Sequence, residues 1–121
     1  MTEDEILVLE SAVEDLYPLW DANWTLKEIP RAATAIRNLF KMGFIDLFFT
    51  TKWATGETSL LTDAQSQELM ENFDNESYWQ PNDDVTVGYY SFAATEKGKE
   101  FFRTDENIQK YYRSKYKTVD E

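Results

Sequence analysis

The chain has 121 residues, 42% of them apolar and 16% aromatic, with no cysteine, no histidine and a formal net charge of -11. That content is long enough and apolar enough for one cored domain, and too apolar for a disordered chain despite the charge. It excludes disulfide and thiol chemistry, histidine-based catalytic triads and nearly all zinc sites.

No apolar run nears the ~20 residues that span a bilayer. The acidic start MTEDEILVLE also lacks the basic region of a secretion signal. The expectation is a cytoplasmic protein without membrane contact, in which Asn23-Trp24-Thr25 and Asn75-Glu76-Ser77 are not glycosylated. Charge is unevenly spread. Residues 1–24 hold acids and no base, as do residues 53–96, while bases gather at Lys27, Arg31, Arg37, Lys41 and Lys52 and again from Lys97 to Lys117.

The first helix starts at a capping box, Thr2 with Glu5, and carries Ile6, Leu9, Val13 and Leu16 on one face. Pro18 ends it. Tyr17, Trp20 and Trp24 then surround a turn, and Thr25-Leu26-Lys27-Glu28 reads as a second capping box cut short by Pro30, leaving 25–29 as a short turn. A helix over 30–42 follows, with Ala33, Ile36, Leu39 and Phe40 on one side and Thr34, Arg37, Asn38 and Lys41 on the other. Gly43 supplies its left-handed close, and Phe44 folds back onto it.

Phe44 to Trp53 alternates as a strand, with Ile45, Leu47 and Phe49 on one face. Thr62 and Gln65 form a third capping box before a short helix that turns Leu69, Met70 and Phe73 inward. Residues 74–84 read as loop, pinned by Tyr78 and Trp79. Val85 to Ala94 is the second strand; Thr95 caps a helix bearing Phe101 and Phe102, and Asp105 caps a last helix with Ile108, Tyr111 and Tyr112.

Two stretches, TLKEIPRAATAIRNLFKMGFIDLFF (Thr25 to Phe49) and AATEKGKEFF (Ala93 to Phe102), give this order its resemblance to the winged-helix superfamily. The resemblance implies an α+β single domain, 1–121, of helices plus a β-hairpin, in which 30–42 is a recognition helix. Its expected DNA contacts are Arg31, Thr34, Arg37, Asn38 and Lys41, since arginine and asparagine can read base edges. The chain departs from the pattern twice. Ala54 to Asp84 forms a long, helix-containing insertion between the wing strands, with eight acids and no base, and Pro30 truncates the helix before the recognition helix. An acidic wing of that size repels phosphate.

Function is therefore expected to be non-catalytic protein interaction, through the acidic insertion and its aromatics: Trp53, Tyr78, Trp79, Asp83 and Asp84. The partner is a basic protein or a second copy of the chain. A DNA-binding regulator using the 30–42 helix is the alternative. No enzyme activity and no cofactor is expected: four scattered glycines make no phosphate loop, and Asp74, Glu76, Asp83 and Asp84 match no calcium-loop spacing. The tyrosine- and base-rich tail from Lys110 reads as a single-strand binder, as a helix with tyrosines on the core, or as a contact with the acidic first helix.

Overall fold

The computed structural model describes residues 1–51, 57–81 and 88–116. Its first helix, α1 (Glu3–Glu14), has the reciprocal Thr2–Glu5 capping box, and three acids in its first turn face the positive end of the helix dipole. Ile6, Val8, Leu9 and Ala12 are buried. After Asp15 and Leu16, Tyr17–Pro18 form a short edge strand β1, where a proline costs no ladder bond on its free side.

Pro18 lies past the end of α1 and is the N-cap of a helix, α2 (Leu19–Leu26). This corrects the expected turn around Trp20 and Trp24. Thr25 lies in the last turn of α2 rather than capping a new helix, and Lys27 closes it with φ 64, a left-handed conformation uncommon outside glycine. Leu19, Trp20, Ala22 and Leu26 are buried, and that burial outweighs the weak local start signal. Two residues later α3 (Ile29–Lys41) begins, with Pro30 in its first turn where no amide donor is needed. It buries Ala32, Ala33, Ala35, Ile36 and Leu39; each of the larger ones contributes about 1.5–3 kcal/mol when removed from water. Phe44 N–H donates to the Leu39 carbonyl and Gly43 N–H to the Phe40 carbonyl, at 3.0 and 2.9 Å, with Gly43 at φ 78. This is the Schellman close that the glycine predicted.

The β2 strand (Ile45–Thr50) pairs antiparallel with β4 (Tyr89–Ala94), Phe49 opposite Tyr90 and Ile45 opposite Ala94. The two limbs are not an isolated ribbon. A three-residue strand inside the insertion, β3 (Thr58–Leu60), pairs with the outer edge of β2, and β1 pairs with the outer edge of β4. The result is a four-stranded sheet ordered β1-β4-β2-β3 in place of the expected hairpin. Thr50 and Thr58 share a hydroxyl hydrogen bond of 2.8 Å across the β2–β3 seam.

The third capping box forms as expected, with Thr62 and Gln65 bonded reciprocally at the start of α4 (Asp63–Glu71). Leu69, Met70 and Phe73 are buried. A 3-10 turn, Glu76–Trp79, lies within the stretch expected to be loop. Thr95 caps α5 (Glu96–Thr104), and Asp105 accepts from Ile108 N–H at the head of α6 (Glu106–Tyr116). One buried cluster joins residues from Ile6 to Ile108, so α1–α6 and the sheet share a core. No helix among the described residues is long and apolar enough to cross a membrane.

Candidate functional site

The five residues expected to read DNA do not form one free face. Arg31 reaches back to α1, where its Nε and Nη2 donate to the Asp4 carboxylate at 3.0 and 2.5 Å. That guanidinium holds the Asp4 carboxyl below the usual carboxylate range. Arg37 is half-buried; its Nη2 and Nε donate to the Met70 carbonyl at 2.9 and 3.3 Å, and its guanidinium lies 5.1 Å from the Phe73 ring centre. Asn38 donates to Glu5 Oε2 at 2.8 Å, which completes the bonding of a buried capping-box carboxylate. Of the five, only Thr34 and Lys41 are exposed without such a tie among the described residues. The helix thus uses its polar face to hold α1 and α4.

The residues expected to contact a partner divide as well. Trp53, Asp83 and Asp84 lie outside the described residues. Trp79 offers no contact surface: it is 0% exposed, its Nε1–H donates to the Phe73 carbonyl at 2.9 Å, and its ring meets Phe73 edge-on at 5.0 Å. A tryptophan with its one polar atom satisfied is cheap to bury, which is why it belongs to the core. Tyr78 is half-buried. Trp24, by contrast, is 60% exposed on α2.

What the insertion does present is charge. Glu57, Asp63, Glu68, Glu71, Asp74 and Glu76 are all exposed. No ion pair among the described residues involves any of them, and residues 57–81 contain no base. No group of three or more acids among the described residues is arranged to hold a metal ion.

Between this acidic segment and the sheet lies a cleft of about 270 Å³. Phe49 of β2 and Tyr90 of β4 sit opposite each other in the ladder, with ring centres 5.0 Å apart; Tyr78 stands edge-on to Tyr90 at 5.3 Å. From α4 the cleft takes Gln65, Glu68 and Leu69, and Asn72 just beyond. Burial pushes the Tyr90 hydroxyl above its ordinary pKa, with Tyr78 and Glu68 adding to the effect. In the sequence Phe49 and Tyr90 are 41 positions apart, and only the β2–β4 register brings them together.

The basic tail is described as far as Tyr116. Tyr112 donates to Glu10 at 2.7 Å and Tyr111 to Glu3 at 3.4 Å, so α6 lies on the acidic α1, the contact foreseen as one of three uses of this stretch. Comparison with protein-family models, with curated protein sequences and with solved structures finds no match to this chain.

Proposed function

We propose that this chain is a non-catalytic interaction module for a basic polypeptide, recognised through the exposed acidic segment 57–81 and the adjoining aromatic cleft. The observation that carries this reading is the set of six exposed carboxylates on a stretch without a base, none of them ion-paired among the described residues. Such a surface steers cationic partners and repels polyanions.

In the alternative, winged-helix reading α3 is the recognition helix, and α2 precedes it in the chain. A DNA-reading role for α3 is disfavoured, because three of its five polar residues are bound within the chain and a free duplex would have to compete for them. Calorimetric titration of the full chain with poly-L-arginine, and separately with a duplex of about 20 base pairs at low salt, tests the choice. Binding of the polycation that weakens with salt, without retention of the duplex, is the expected outcome. Duplex binding at low salt would overturn it.

A further inference from the structure

We propose that the cleft between α4 and the β2–β4 pair is the specificity pocket of this surface, taking one arginine side chain of the basic partner. The inference deepens the basic-partner reading and rests on it for the source of the arginine. Three features of the cleft carry it. First, Phe49, Tyr78 and Tyr90 line it together, held in mutual contact by the sheet register and by the edge-on Tyr78–Tyr90 pair. Aromatic rings attract guanidinium groups, and a guanidinium is more weakly hydrated than an ammonium, so it gives up water at less cost.

Second, Glu68 borders the same space, exposed and without an ion pair among the described residues. A carboxylate beside aromatic rings accepts a guanidinium fork in two parallel hydrogen bonds, which a lysine ammonium cannot reproduce. Asn72 commits its amide nitrogen to the Glu68 carbonyl, leaving its side-chain oxygen as a further acceptor at the rim. Third, size decides the kind of occupant. At about 270 Å³ the cleft lies just below the ~300–1,000 Å³ of pockets that enclose whole small-molecule ligands, and fits a single side chain.

The described cations that lie over rings are Arg37, Lys97 and Lys115, over Phe73, Phe44 and Tyr111, all away from this cleft. The chain thus already pairs a guanidinium with a phenyl ring at Arg37 and Phe73, while the three-ring cleft faces no described cation.

The test uses capped peptides of glycine around a central arginine, lysine or citrulline, titrated into the full chain while the ring-proton NMR signals of Phe49, Tyr78 and Tyr90 are followed. The arginine peptide is expected to move all three sets of signals with millimolar-range affinity. The lysine peptide should bind at least about threefold more weakly, and the neutral citrulline peptide should leave the signals in place. Glu68→Gln should weaken the arginine peptide by about threefold to tenfold with unchanged thermal unfolding, since Glu68 is exposed. Equal shifts with citrulline, tighter binding of lysine, or an unaltered Glu68→Gln variant would each overturn the assignment. The two readings also fail separately. Ring shifts with the arginine peptide but no binding of poly-L-arginine would leave the pocket standing and remove the module. Polycation binding with the three rings unmoved would do the reverse.

Discussion

Gly98, in the first turn of α5, lies against the backbone of Phe44 so closely that a Cβ on it would come within 2.0 Å of the Phe44 carbonyl oxygen. That same carbonyl accepts from Thr95 N–H at 3.0 Å, and Thr95 Oγ1 donates to the Gly43 carbonyl at 2.7 Å while accepting from Gly98 N–H. Lys97 donates to the Met42 carbonyl at 2.9 Å. The Thr-Glu-Lys-Gly turn is therefore a clasp that seats the start of α5 on the end of α3. Gly98→Ala should cost roughly 3 kcal/mol or more, because the clashing atom belongs to backbone that cannot move aside. Gly43→Ala should cost less, about 1–2 kcal/mol, since a Cβ there would meet only the Lys97 side chain, at an ordinary contact distance of 3.5 Å, and the cost is the strain of the left-handed φ. Urea unfolding of both variants measures the order.

Arg37 ties α3 to the end of α4 through the Met70 carbonyl and the Phe73 ring. Arg37→Ala should destabilise by roughly 1–3 kcal/mol and accelerate amide exchange in α4 ahead of the rest of the chain. Lys41→Ala, on an exposed residue of the same helix, should stay within about 0.5 kcal/mol. Hydrogen exchange followed by mass spectrometry separates the two.

Ser91 sits in β4 at 0% exposure, and its hydroxyl has no hydrogen-bond partner among the described residues. Removing a buried, unpaired hydroxyl removes a desolvation cost. Ser91→Ala should therefore raise stability, by about 1 kcal/mol, in thermal or urea unfolding.

Two acids on the N-terminal part of the chain shift in opposite directions. Burial holds the Asp21 carboxyl above its ordinary value, against an opposing hydrogen bond from Ser11 and with Glu14 adding to the rise. Between the unfolded and folded values the native state binds more protons, so this group lowers stability as pH rises, and its cost is fully present above the folded value. Asp21→Asn should stabilise the chain near neutral pH and lose that advantage in acid. Asp4 is the reverse case: its hydrogen bond with Arg31 lowers its value, so its contribution is present above the ordinary value near 3.8 and disappears as pH falls through the folded one. Asp4→Asn should destabilise at neutral pH and become indistinguishable in strong acid. Urea midpoints measured across pH distinguish the two signs.

Local chemistry made much of this fold legible. The boxes at Thr2 and Thr62, the glycine close at Gly43 and the caps at Thr95 and Asp105 each depend on residues within a few positions, and all form. Where the outcome depended on distant partners, the sequence misled. Thr25 to Glu28 has capping-box spacing, yet α2 already runs through Thr25, because Trp20, Ala22 and Leu26 gain more from the core than the box would return. Thr58–Leu60 carries no strand signal strong enough to notice; it exists because β2 offers an open edge. Trp79 pins its stretch to the body as expected, but the partner contact also expected of it fails, because the ring is buried and the Phe73 carbonyl satisfies its indole N–H. The cleft was invisible for the same reason, since Phe49 and Tyr90 meet only through the sheet register.

The most direct measurement of the central claim compares two variants of equal charge. One neutralises Glu57, Glu71 and Glu76 in the insertion; the other neutralises Glu14, Glu96 and Glu106, exposed acids elsewhere. Titrated with poly-L-arginine at fixed salt, the first should bind roughly tenfold more weakly than the unaltered chain, about 1.4 kcal/mol, and the second should bind nearly as the unaltered chain does. Equal weakening of both would mean that net charge alone attracts the polycation, and would contradict a dedicated acidic surface.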